Sequence, residues 1–226
     1  MKRSRINQAI QEMEHLVQSI GLTLPPFCKF TPNMWLKFGR DYDEIRDNRL
    51  GWDITDYGQG RFEELGFSLI TLRNGRQADL SYPKSYAEKL LMLREGQIAP
   101  MHFHFDKMED IINRGGGNLL IKVFASDEKK EFAQTPITVS CDGVKRIFEP
   151  GDEIRLTPGE SVTLPTYLYH EFRVEPGTGD VLIGEVSAVN DDETDNYFKE
   201  ELGRFPSIEE DEPPYRLLCF EYPAAL

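Results

Sequence analysis

Ile6, Ile10, Met13, Val17 and Ile20 recur at intervals of three or four residues, the spacing that lines up one face of an α-helix. Ser4 stands where a cap would open such a helix and Gly21 where one would close it, so the pattern predicts an amphipathic helix over 5–20. His15 lies off the apolar stripe and is read as exposed. Pro25, Pro26 and Pro32 mark an irregular link, and residues 38–60, rich in Gly, Asp and Arg, read as a long structured loop. From about residue 65 short strand-like runs take over: 66–73, 89–94, 101–105, 119–124, 137–141, 146–148, 153–156, 161–164, 171–174 and 181–186. The pairs Asn74-Gly75, Glu95-Gly96, Asp142-Gly143, Pro150-Gly151, Pro158-Gly159 and Pro176-Gly177 punctuate them as turns. Many short strands at regular intervals predict a mainly β, antiparallel sandwich or barrel. After Asn190 the chain turns acidic, with a partly helical stretch expected around 194–202 and an apolar strand over 217–222. No repeat or low-complexity tract interrupts this order. The expectation is a single domain over 1–226: an N-terminal helix and arm (1–64), a barrel core (65–190) and a C-terminal extension (191–226).

The chain of 226 residues has an apolar fraction of 39%, with 14 Phe, 9 Tyr and 2 Trp, enough for a packed core. Both Trp35 and Trp52 are assigned to that core rather than to a ligand face. The formal charge of −13 and the lack of any Lys/Arg cluster exclude a nucleic-acid surface. The densest acidic patches, 191–195 and 209–212, read as solvated surface. Cys28, Cys141 and Cys219 are odd in number and widely separated, which fits reduced thiols rather than a disulfide framework. The basic start at Lys2, Arg3 and Arg5 leads into the amphipathic helix, not a signal core, and no run approaches the roughly 18 apolar residues of a membrane span. A cytoplasmic protein with no membrane partner is the expectation.

Candidate chemistry concentrates in HFHFDKMEDIINRGGG, residues 102–117, which carries two of the four histidines. On a strand, alternate side chains share a face, so His102 and His104 point the same way. Glu109 follows after a bend, the glycines 115–117 are read as a hairpin turn, and His170 opens another strand. Three imidazoles and one carboxylate suit Mn, Fe, Co, Ni or Zn and leave positions open for water or substrate. The frame Gly96, five residues, His102-x-His104, four residues, Glu109, six residues, Gly116 resembles the first cupin motif along its whole length. Gly159, five residues, Pro165 and then His170 resembles the second, with two departures: Tyr167 stands in the usual glycine position and Val174 in that of asparagine. The long separation of the motifs predicts an enlarged connecting hairpin.

The resemblance extends further. The runs KLLMLREGQIAPMHFHFDKMEDIINRGGG (89–117), GESVTLPTYLYHEF (159–172), GEVSAVNDDETDN (184–196) and GRFPSIEEDE (203–212) are similar to the cupin-type D-lyxose isomerases. That resemblance implies a jelly-roll barrel and the interconversion of D-lyxose with D-xylulose, often with D-mannose and D-fructose. It also implies a divalent metal, commonly Mn2+, with Co2+, Fe2+ or Zn2+ as alternatives, held by His102, His104, Glu109 and His170.

Several residues are candidates for the rest of the chemistry. Lys89 shares an apolar strand face with Leu91 and Leu93, which points to a substrate contact or to a snorkelling surface lysine. Lys107 lies between two implied ligands and could donate a proton or hydrogen-bond a sugar, the alternative being outward solvation. Glu185 shares a face with Val181 and Ile183; a carboxylate there is costly unless paired or used, so it is the candidate general base or one half of a structural ion pair. Asp191, Asp192 and Arg204 lie in the family-like runs and would line the rim or tie down the tail, with Asp192 and Arg204 taken as substrate contacts. Rival functions are a cupin oxygenase, a phosphosugar isomerase using Arg114 and the glycine run as a cradle, and a non-catalytic sugar-binding cupin. A homodimer is expected from the way cupin barrels commonly pair.

Overall fold

Alternation of apolar and polar residues sorts the strands into two antiparallel sheets that share one apolar interior. A computed structural model describes residues 1–77, 79–192, 194–203 and 205–226; Arg204, a candidate substrate contact, therefore lies outside the described residues. The larger sheet contains β1 (Gly51–Thr55), β2 (Phe67–Arg73), β3 (Tyr86–Leu93), β5 (Glu109–Gly116), β7 (Ile137–Cys141), β8 (Val144–Phe148), β10 (Ser161–Leu164) and β12 (Val181–Ala188). Their spatial order is β1-β2-β3-β12-β5-β10-β7-β8. The smaller sheet contains β4 (Ile98–His104), β6 (Leu119–Ala125), β9 (Glu153–Leu156), β11 (Leu168–Val174) and β13 (Asn196–Phe198), in the order β13-β4-β11-β6-β9. Leu91, Leu93, Ile111 and Ile183 from the first sheet pack against Ala99, Ile121, Val123 and Phe172 from the second, so the core lies between the layers. This is the mainly β, cupin-type architecture that the motifs imply.

The outer face of the larger sheet is covered by the N-terminal helix, which runs Arg3–Ser19. Ile6, Ile10, Met13 and Val17 are buried there against Trp52, Ile54, Ile70, Leu90, Met92 and Leu182. Ser4 is not its cap. Lys2 holds that position without a side-chain hydrogen bond, and the orphan amides are satisfied from the far end of the chain. The Arg3 N–H donates to the Glu209 carbonyl at 2.8 Å, and the Ser4 N–H to the Asp211 carboxylate at 2.9 Å. The acidic patch 209–212 is exposed, as expected of solvated surface, and it also caps the helix. Its carboxylates lie at the positive end of the helix dipole, where negative charge is stabilising. The Arg3 guanidinium, 1% exposed, pairs with Glu210 and Glu221.

Four local expectations change. The stretch 38–60 contains β1, whose residues are buried throughout and so lack the alternation that marks a strand. Residues 109–116 form a strand of their own, because its inward positions hold the polar Glu109 and Asn113 beside Ile111. The region 194–202 is extended: β13 pairs with β4 in the register Asn196↔His104. Residues 217–222 form no strand, although Leu218 makes one bridge to Trp52. Between the two motifs the chain adds β6, the β7–β8 hairpin and β9, the enlargement that their separation predicts.

Removing side-chain volume from the helix stripe tests its docking. Ile10, 0% exposed, should when changed to alanine cost about 2–5 kcal/mol of unfolding free energy in urea titrations. An unchanged midpoint would mean the helix contributes little to the folded state.

Candidate active site

The pairing of β4 with β11 sets His102 directly opposite His170. His104, two residues further on, faces the same way and comes from the same strand as His102. The Nδ1 atoms of His102 and His170 lie 2.7 Å from the Pro100 carbonyl and 2.9 Å from the Leu168 carbonyl. A carbonyl only accepts, so each Nδ1 carries the hydrogen and each Nε2 of a neutral ring is a bare lone pair. Those two Nε2 atoms are 3.1 Å apart. Glu109, from the opposite sheet, brings Oε1 to 3.2 Å of His170 Nε2 and Oε2 to 3.5 Å of His104 Nε2. One ligand atom from each of the three histidines lies within 4.8 Å of the others. Acceptors crowded this closely repel one another unless a cation lies among them, and imidazole with carboxylate is a donor set that fits a divalent transition metal. The His102, His104 and His170 cluster could hold such an ion.

Burial favours the neutral rings that a metal requires. Desolvation, reinforced by the neighbouring His170, pushes His102 down from 6.5 to about 3. Desolvation and the Lys107 ammonium hold His104 well below its ordinary value. For Glu109 burial acts the other way, but Lys107 and His104 beside it outweigh burial and hold the carboxyl well below its usual range.

Next to the histidines lies a buried chain of charges. Lys107 is 4% exposed, and its Nζ sits 2.8 Å from both Glu109 Oε2 and Glu185 Oε1. Burial alone would push its pKa down; the two carboxylates outweigh that and hold it above the ordinary lysine value. Lys89 is equally buried, with Nζ 3.6 Å from Glu185 Oε1 and 3.7 Å from Asp192 Oδ1. It also donates to Asn190 Oδ1, and Asn190 is held in turn by hydrogen bonds of 3.0 Å in both directions with Asn74. A snorkelling Lys89 and an outward Lys107 are both excluded.

The structure therefore brings His102, His104, Glu109, Lys89, Lys107, Glu185 and Asp192 together around one cavity of about 50 Å³, with His170 held behind it against His102 and Glu109. Asp192 also lines a neighbouring cavity of about 750 Å³, so the two adjoin. Asp191 lines only the larger one, and its carboxylate accepts from the Thr194 N–H and hydroxyl. Arg114 stands on the opposite side of its strand from Glu109, Ile111 and Asn113, against Gly184, so it makes no anion cradle at this site. Trp35 and Trp52 are buried at 1% and 2% exposure, as packing residues. Tyr167, in the usual glycine position of the second motif, has a φ of +59°, so the backbone keeps the left-handed turn although the residue has changed. Sequence reasoning missed Tyr57, Asn190, Asn196 and Phe198 at or beside the cavity. Asn190 and Asn196 do lie within the run 184–196, but tail-like composition hid them.

The model of the D-lyxose isomerase family matches residues 1–222. The chain belongs to that family. The D-lyxose/D-mannose isomerase of Serratia proteamaculans is 48% identical over 223 residues, covering 98% of both chains. The enzyme of the same name from Escherichia coli O157:H7 is 46% identical over the same length and coverage. The chain is accordingly a sugar isomerase of the aldose–ketose type. Among solved structures, the L-ribose isomerase of Geodermatophilus obscurus superposes with a TM-score of 0.57 at 14% identity. The alignment covers 92% of this chain and 98% of that one, a likeness of fold alone. No helix among the described residues is long and apolar enough to cross a membrane.

The depressed histidines make a pH prediction for the metal-free protein. A ring kept neutral when folded but protonated when unfolded contributes stability above the unfolded value of 6.5, lost as pH falls toward about 3. Unfolding free energy should fall over that window, and His102→Gln should flatten the slope. Equal slopes in both proteins would contradict the neutral-ring assignment.

Proposed function

We propose that the chain interconverts D-lyxose with D-xylulose, and D-mannose with D-fructose, at a divalent metal held by His102, His104, Glu109 and His170. The observation that carries the reading is the meeting, in a chain of this family, of three imidazoles and a carboxylate with a buried Lys–Glu network. Mn2+ is the preferred ion, with Co2+, Fe2+ or Zn2+ as alternatives. When bound, the metal supplies a Lewis acid that polarises the sugar carbonyl.

The protein's own residues move the proton. Glu185 takes the proton from C2 of the aldose while the carbonyl oxygen O1 gains one, giving a cis-enediol. The same proton is then returned to C1 as O2 gives its own back to the group that protonated O1, leaving the ketose. Lys107, in contact with Glu185, supplies the hydrogen bond or proton at the sugar oxygen. Lys89, Asp192 and Arg204 hold the hydroxyls further along the chain, and the adjoining larger cavity gives the sugar its way in. Buried ion pairs of this kind suit a polyol and a proton transfer better than an apolar, oxygen-accepting site, which favours the isomerase over a cupin oxygenase. A one-domain, cytoplasmic homodimer completes the proposal.

The test is to strip the protein with a chelator, restore Mn2+, Co2+, Fe2+, Zn2+ or Mg2+ singly, and incubate anaerobically with D-lyxose, D-mannose and a phosphosugar control. D-xylulose should form from D-lyxose only in metal-restored samples. No turnover of any sugar with any ion would sink the proposal. In the restored enzyme, Glu185→Gln should lower kcat by about 100- to 10,000-fold while metal content stays at the wild-type level. A kcat within a few-fold of wild type would remove Glu185 as the base.

A further inference from the structure

Two of the three histidines have their outer nitrogen satisfied by the carbonyl two residues earlier, and His104 does not. His104 Nδ1 is inaccessible to solvent and has no hydrogen-bond partner among the described residues. The Oδ2 atom of Asp195 is in the same condition. These two orphans face each other at 3.8 Å. Unpaired buried groups are rare because each forfeits its hydration, and here one is a potential N–H donor and the other a carboxylate acceptor.

Asp195 is fixed on its other sides. Its Oδ1 accepts the Asp106 N–H at 2.7 Å, its carbonyl accepts the Phe105 N–H at 3.1 Å, and its own N–H reaches the Asp191 carbonyl at 3.2 Å. The next residue, Asn196, begins β13 directly opposite His104. A carboxylate anchored in this way has one oxygen left to offer, and it is aimed at the His104 ring.

We infer that Asp195 is a positioning residue that selects the Nδ1–H tautomer of His104; the consequence for metal binding rests on the ligand set proposed above. The alternative tautomer places the hydrogen on Nε2, 3.5 Å from Glu109 Oε2, where it would bond that carboxylate. The ring would then offer no lone pair on the side it shares with the other donors, and Glu109 Oε2 would be engaged by that hydrogen bond. With the hydrogen on Nδ1 and directed at Asp195, Nε2 stays bare on the side shared with His102, Glu109 and His170. A shift of about 1 Å closes the present gap to hydrogen-bonding distance. Outer partners of this kind set ring orientation and ligand basicity, and their loss weakens metal binding by about 10- to 100-fold.

Asp195→Asn separates this role from a structural one. The asparagine oxygen can still accept the Asp106 N–H, which leaves the amide N–H group facing His104 Nδ1 and forces the hydrogen onto Nε2. Imidazole 15N shifts of the metal-free proteins should show His104 protonated at Nδ1 in the wild type and at Nε2 in the variant. Calorimetric titration should give a Mn2+ Kd about 10- to 100-fold weaker in the variant. A wild-type His104 protonated at Nε2, or equal Mn2+ affinity in the two proteins, would overturn the inference. The tautomer measurement needs no metal and no variant, so it decides the role of Asp195 even if Asp195→Asn fails to fold. Failure of the wild type to bind any Mn2+ would count against the ligand set instead.

Discussion

The ammonium of Lys107 between Glu109 and Glu185 is the contact on which the centre of this molecule depends. Three full charges buried between two apolar sheets are costly, and desolvation alone would drive each toward its neutral form. Together, at 2.8 Å on both sides of the nitrogen, the two carboxylates hold Lys107 charged, and Lys107 in turn holds Glu109 ionised. The pair also joins two chemistries. Glu109 faces the histidines, and Glu185 faces Lys89 and the space where a substrate would lie. Losing one member would strand a charge in a dry interior, so the network is both the cost of the site and the reason it holds its shape.

Geometry around that contact follows from the sheets. One layer supplies the three imidazoles from two adjacent strands, His102 opposite His170. The other supplies the carboxylates and Lys89 from β5, β12 and β3, with Glu185 opposite Lys89. Neither layer alone could build the site, since the donors must converge from opposite sides of the gap. The N-terminal helix closes the outer face of the larger sheet, and the acidic tail locks that helix through Arg3, Ser4 and Asn7. The same C-terminal portion of the chain sends β13 along β4, which carries Asp195 to the back of His104. Segments that look like decoration in sequence thus hold the scaffold in place and back one histidine of the cluster.

Much of the centre was legible from the chain alone. His102 and His104 must share a face because strand side chains alternate, and Lys89 and Glu185 interrupt otherwise apolar faces, a pattern that is unfavourable without a purpose. The motif spacing extended this to Glu109 and His170, and the helix stripe showed in the same way. These features are local: a period of two or of 3.6 residues fixes which side chains point together. Which groups meet is a different matter. That Lys107 finds Glu185, 78 residues away, that Glu109 opens a strand in the opposite sheet, and that the patch 209–212 caps a helix at residue 3 all depend on register and layer order. Composition misled most where polar residues point inward, as in β5, and where a strand is buried on both faces, as in β1. There the alternation that marks a strand is erased by the contacts it goes on to make, and only the assembled sheets decide the outcome.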